Sequence, residues 1–219
     1  QQSIIEAFVV DSGYDPESEQ AVKQGVLLPA LADGDPLKRW AAGYLLGLRG
    51  DLHAVPALDE ILSTTCQDGP AVSRDQCVRW QLRAVQALGV LNDVLCGPPL
   101  IKALASPERT VHHAAGLALN ELGRKAEPAL LLALHHPNPH IRWHAARSLG
   151  QIGDLRALGA LTEGLSDDNQ EVRWATARIL ANLDAPAIPA ILQVLSSQPI
   201  TEPLRQSAYH ALNGMACLR

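Results

Sequence analysis

The apolar positions of the chain recur with helical spacing, and no segment of useful length alternates apolar and polar residues. In "IRWHAARSLGQIGD", Ile141 to Asp154, the residues Ile141, Ala145, Ser148, Leu149 and Ile152 fall on one stripe of a helix with about 3.6 residues per turn. The stretch returns as "KRWAAGYLLGLRGD" from Lys38, "WQLRAVQALGVLND" from Trp80, "VHHAAGLALNELGR" from Val111, "VRWATARILANLDA" from Val172 and "LRQSAYHALNGMAC" from Leu204. One leucine aligns all copies: Leu46, Leu88, Leu119, Leu149, Leu180 and Leu212, separated by 42, 31, 30, 31 and 32 residues. A shorter amphipathic stretch lies between copies, such as "AEPALLLALHH" (Ala126 to His136) or "LRALGALTEGL" (Leu155 to Leu165). Each repeat therefore reads as a first helix followed by a second.

The junctions carry helix-start chemistry. Asp33-Gly34-Asp35-Pro36, Ser106-Pro107-Glu108, Pro137-Asn138-Pro139 and Asp167-Asp168-Asn169 each offer a side-chain acceptor for free N–H groups, or a proline where no N–H is needed. A helix pair of this length cannot bury its own apolar face, but stacked pairs share a core. The expected fold is all-α: a right-handed α-solenoid of about six helix pairs forming a single domain over 1–219. The repeats run roughly over 15–50, 51–92, 93–123, 124–153, 154–184 and 185–219. The first residues, "QQSIIEAFVVDSGY", read as the tail of a further repeat or as a cap. The one long spacing points to an insertion within "STTCQDGPAVSRDQC" (Ser63 to Cys77), a loop or a loop plus one helical turn placed between helices.

Composition narrows the function classes. The net charge of −5 leaves no broad cationic footprint for nucleic acid, and no apolar run reaches the roughly 18 residues needed to span a bilayer. The expected setting is soluble and cytoplasmic, without nucleic acid or membrane as partner. The chain begins with Gln1, which suggests that a start codon, a leader or a longer N-terminal part has been removed. Of the cysteines, Cys66 and Cys77 bracket the polar insertion, and two readings stand: a disulfide in an oxidising compartment, or two free thiols. No cysteine pair or histidine pair has zinc-site spacing, so no metal is expected.

With its apolar-Arg start, Ala-Ala pair, Leu-Gly and closing Gly-Asp, the template resembles the short HEAT-like repeat of the phycobilisome-lyase type, over about residues 17 to 217. A finer likeness lies in the order of "DPLKRWAAGYLLGLRGD", "AVPALDEIL", an insertion and "VRWQLRAVQALGVL", which is similar to the E/F-type phycobilin lyases. The dense aromatic clustering of their first repeat is reduced here to Trp40 and Tyr44. Deoxyhypusine hydroxylase, built from related repeats, holds di-iron through His-Glu dipeptides, and this chain has none.

All four tryptophans follow an arginine: Arg39-Trp40, Arg79-Trp80, Arg142-Trp143 and Arg173-Trp174. On a wheel of about 100° per residue, with Ile141 at zero, the core stripe centres near 35° and Trp143 falls near 200°. Trp40 and Trp174 share that register, whereas Trp80 takes the core position. The outward row then reads Trp40, Leu82, His113, Trp143, Trp174 and Gln206, above small residues such as Gly43, Gly47, Ala146, Gly150, Ala177 and Ala181. One reading makes the row a binding surface. The other packs each ring against the adjacent repeat. The candidate partner- or ligand-binding residues are Trp40, Tyr44, His113, Trp143, Arg147, Trp174 and Arg178. Arg39, Arg142, Arg173 and Arg205 form a basic ladder at the helix flanks, serving either as ties to interhelical turns or as an anion-binding groove edge.

No catalytic, nucleotide-binding or metalloprotease motif occurs, and His140 with His144 offers only an i, i+4 pair. The primary expectation is a non-enzymatic interaction scaffold that needs no cofactor and binds another protein on its concave face. The alternative, implied by the resemblance, is a phycobilin lyase subunit or bilin-handling chaperone. Its cofactor is a bilin, and its partners are a phycobiliprotein and a second HEAT-like subunit.

Overall fold

A computed structural model describes residues 24–66, 73–197 and 199–216. Every regular element among these residues is helical, as the 3.6-residue periodicity predicts. The described residues pack as two compact units, one up to Ala118 and one from Leu119. The first holds α1 (Gln24–Ala30), α2 (Pro36–Leu48), α3 (Val55–Ser63), α4 (Arg74–Leu91) and α5 (Gly97–Ala103), with α6 (Arg109–Leu122) reaching the boundary. The second holds α7 (Glu127–Ala133), α8 (Pro139–Ile152), α9 (Leu158–Glu163), α10 (Gln170–Leu183), α11 (Ala187–Ser197) and α12 (Glu202–Ala216). The initial stretch, read as the tail of a further repeat or as a cap, lies outside the described residues.

Helix boundaries follow the sequence punctuation. The carboxylate of Asp35 accepts the N–H of Leu37 at the start of α2, and Asn138 accepts that of His140 at the start of α8. Asn169 accepts from both Glu171 and Val172 at the start of α10, while Ser73 and Gln76 form a reciprocal capping box on α4. Helix α8 ends at Gly153, whose φ of +68° lies in the left-handed region that glycine enters without steric cost. Asp154 then accepts the N–H of Arg156 and opens a short 3-10 turn into α9.

The aligned leucines behave as a core stripe: Leu46, Leu88, Leu119, Leu149 and Leu180 are buried. Leu212 is partly exposed, and the buried stripe of α12 is carried by Leu204, Ala208, Ala211 and Met215 instead. Within the second unit α10 packs side by side with α8 and α12. Gly150 permits the first of these contacts, since a Cβ there would stand 2.5 Å from Ile179 Cγ2. In the first unit α2 is covered by α1, α3 and α4 together.

The extra residues of the second repeat resolve in part as an added turn, because α4 begins at Arg74. Cys66 and Cys77 form a disulfide across this segment, with Cα atoms 5.4 Å apart. Of the two readings of these cysteines, the paired one holds. No described helix is long and apolar enough to cross a membrane.

Candidate functional site

The arginine ladder is a set of ties. Arg142 forks onto Asp167 through Nε and Nη2, both at 2.7 Å, while its Nη1 donates to the carbonyls of His136 and Pro137 at 2.9 and 3.0 Å. Arg39 repeats the pattern with Glu60 (2.6 and 3.2 Å) and the carbonyls of Asp33 and Gly34. Arg173 donates to the carbonyls of Asp167 and Asp168 at 2.7 and 2.9 Å. In all three, one guanidinium satisfies the carbonyls five and six residues earlier, where the preceding helix has run out of partners. Arg205 pairs with Glu202 on its own helix.

The titration of these groups agrees with this role. The hydrogen bond to Asp167 raises Arg142 above its ordinary value, against desolvation. Burial alone would push the Asp167 carboxyl up, but hydrogen bonds from Arg142 and the Asn169 N–H, with the charges of Arg142 and Arg173, hold it down. Glu60 is lowered chiefly by its hydrogen bond from Arg39. These arginines are committed to the fold, so the groove-edge reading of Arg39, Arg142 and Arg173 gives way to the structural one.

The tryptophans divide differently from the wheel. Trp40, expected to face outward, is only 4% exposed, and its ring meets Trp80 edge-on at 5.8 Å between centroids. Tyr44, one turn on, is 2% exposed. Both were candidate binding residues, and neither offers surface to a partner. The cause is the packing of α1, α3 and α4 against α2. Gly43 and Gly47 let α3 and α4 approach so closely that added Cβ atoms would stand 2.8 Å from Ala57 Cβ and 2.9 Å from Ala87 Cβ. Those glycines, read as a floor beneath a binding row, are helix-packing contacts. Trp80 is buried at 5% exposure, as its register predicts. His113 is exposed on α6.

In the second unit the expected row survives. Trp174 is 57% exposed, Trp143 is partly exposed, and both line an open groove of about 760 Å³ formed by α8, α10 and α12. Its floor is Ala177, Ala181 and Gly214, where a Cβ on the glycine would stand 2.8 Å from Ala181 Cβ. Arg178, Glu171, Asn182 and His210 supply the polar lining. Trp143 is boxed by its own helix: Arg147 lies over the ring at 5.3 Å, His144 meets it edge-on at 4.8 Å and His140 lies nearly parallel at 6.5 Å. Trp174 keeps its faces freer, with His210 edge-on at 6.4 Å. Trp143, Trp174 and Arg178 are thus brought together, with Arg147 above Trp143. No group of three or more potential metal ligands occurs among the described residues.

His210 lies off the outward row, which meets α12 at Gln206. The groove is lined one turn later, where α12 carries His210 in the position that α8 and α10 give to Arg147 and Arg178. Glu171, one turn before Trp174, was equally legible as part of that stripe.

Residues 97–171 match the family model described as HEAT repeats. This segment is HEAT repeats. The chain is 36% identical over 103 residues to "Phycocyanobilin lyase subunit beta" of Nostoc sp. (strain PCC 7120), an alignment covering 47% of this chain and 52% of that protein. It is also 36% identical over 104 residues to "Bilin biosynthesis protein RpcF" of Synechococcus sp. (strain WH8020), covering 47% and 50%. The chain thus spans about half the length of the curated relatives it matches. Among solved structures, the complex of CpcE and CpcF of phycocyanin lyase from Nostoc sp. PCC7120 aligns at 18% identity and a TM-score of 0.39, over 94% of this chain and 98% of that one.

Proposed function

We propose that this chain is a bilin-handling subunit of the phycobilin lyase type, holding an open-chain tetrapyrrole in the groove of its second unit. The observation that carries the reading is the open groove of about 760 Å³ walled by Trp143 and Trp174 over a floor of alanine and glycine. Its size is that of small-molecule sites, roughly 300–1,000 Å³, and its lining has their character, mostly apolar with a few convergent polar groups. A flat conjugated ligand gains stacking on the exposed Trp174 indole and the partly exposed Trp143 edge, while the small alanine and glycine floor leaves room for its plane. The relatives named for phycocyanobilin attachment and bilin biosynthesis support the same reading.

Attachment of a bilin to a phycobiliprotein asks little covalent chemistry of this chain. The thiol nucleophile belongs to the acceptor cysteine, and the task here is to hold the chromophore extended and present it. The chain's partners on this reading are the acceptor phycobiliprotein and a second HEAT-like subunit, so the protein-interaction role read from the sequence becomes part of the mechanism. Titrating purified protein with phycocyanobilin tests it: a shifted and sharpened absorption band is expected, together with chromophore attachment when the chain is co-expressed with an apo-phycobiliprotein and a partner subunit. An unchanged bilin spectrum with no attachment on co-expression overturns the reading.

A further inference from the structure

The second unit commits nearly all its described arginines. Arg142 and Arg173 tie helix starts, Arg124 and Arg156 pair with Asp154, Arg205 pairs with Glu202, and Arg147 covers Trp143. Arg178 lines the groove and, among the described residues, makes no hydrogen bond, ion pair or ring contact. Glu171 also lines the groove, with its carboxylate equally unengaged. The two lie seven residues apart on α10, about 10 Å along the helix axis, with Trp174 between them. Both side chains are exposed at the groove, so charged and polar groups of a ligand meet them directly, with no protein partner to displace.

From this polarity we infer that the groove reads the direction of its ligand: Arg178 takes a carboxylate, Glu171 accepts from ring N–H groups, and the conjugated plane between them lies over Trp174. The ligand class is a planar, conjugated molecule bearing at least one carboxylate and N–H donors some 10 Å away. The inference rests on the tetrapyrrole reading of the same groove and adds orientation to it. A ligand bound in reverse sets its carboxylate against Glu171 and is rejected by like charge.

The test compares phycocyanobilin with its dimethyl ester, and 1-pyrenebutyrate with its methyl ester, on the full chain. Wild type binds each free acid about tenfold tighter than its ester, as expected for one charge-assisted contact. Arg178→Ala brings both ratios close to one and Arg178→Lys restores part of the preference, with helicity and melting unchanged because Arg178 is exposed and makes no hydrogen bond or ion pair among the described residues. Glu171→Gln leaves the acid-to-ester ratios in place and shifts the absorption band of bound phycocyanobilin. Full discrimination retained by Arg178→Ala overturns the inference. Bilins bound without preference for the acid also overturn it and leave the lyase reading standing. If bilins fail to bind but pyrenebutyrate is discriminated through Arg178, the carboxylate role of Arg178 stands, and the lyase reading falls together with the N–H role of Glu171. Failure of every probe removes both.

Discussion

Two pairs of tryptophans, all in the same Arg-Trp context, meet opposite fates. In the first unit Trp40 and Trp80 lie edge-to-face in the core, while in the second Trp143 and Trp174 wall an open groove. Trp40 and Trp174 occupy the same helical register, so the difference does not come from the helix that carries them. It comes from what covers that helix: α2 has α1, α3 and α4 around it, whereas the outward face of α10 is flanked by α8 and α12 and left open above. A repeat fixes the direction of a side chain, and its neighbours decide whether that direction is core or surface. The same indole is buried in the core of one unit and walls an open groove in the other.

Stability measurements sharpen this contrast. The largest effect is expected for Trp40→Ala, which empties a buried aromatic site and costs about 3–5 kcal/mol in urea unfolding. Trp174→Ala is expected to stay within about 1 kcal/mol, as for an exposed side chain without packing duties. Equal losses would erase the distinction. Arg142→Ala comes next, at roughly 3 kcal/mol, because Asp167 is left largely buried without its charge partner. The equivalent Arg39→Ala, whose Glu60 partner is more exposed, is expected to cost about 1 kcal/mol or less. Reducing the Cys66–Cys77 disulfide frees a short loop in the unfolded chain, and a loss of roughly 2–3 kcal/mol is expected, confined to the first unit.

The smallest effect is a pH dependence at Asp154 in the second unit. Asp154 is held down to about 2, first by the side-chain hydrogen bond from Arg156 and then by that residue's backbone N–H. A lowered folded-state value means that its contribution is full above the ordinary carboxylate value of 3.8 and fades as pH falls from there toward about 2. Melting curves of Asp154→Asn should therefore lie below wild type at neutral pH and converge with it in strong acid. A constant gap across that window would remove Asp154 from the account.

The repeat, its helix pairs and most of the core stripe were legible because one period of about 31 residues places an anchoring leucine at the same point of each helix. The capping residues at Asp35, Asn138 and Asn169 were legible for the same local reason. Trp40 was not, since a helical wheel shows where a side chain leaves its own helix and nothing of the glycine-mediated approach of α3 and α4. The glycines that suggested an open floor were the cause of the closure. Arg142 illustrates a second limit: its spacing allowed a tie or a groove edge, and only the fork onto Asp167 decided between them.

The central claim is that ligand binding resides in the Trp143–Trp174 groove and not in the Trp40–Trp80 pair. Phycocyanobilin titrations of Trp143→Ala/Trp174→Ala and of Trp40→Phe, each with its helicity checked, test it most directly. The account predicts at least about a tenfold loss of affinity in the double variant, equivalent to about 1.4 kcal/mol of lost stacking, and wild-type affinity in Trp40→Phe. Undiminished binding by a folded double variant would contradict it.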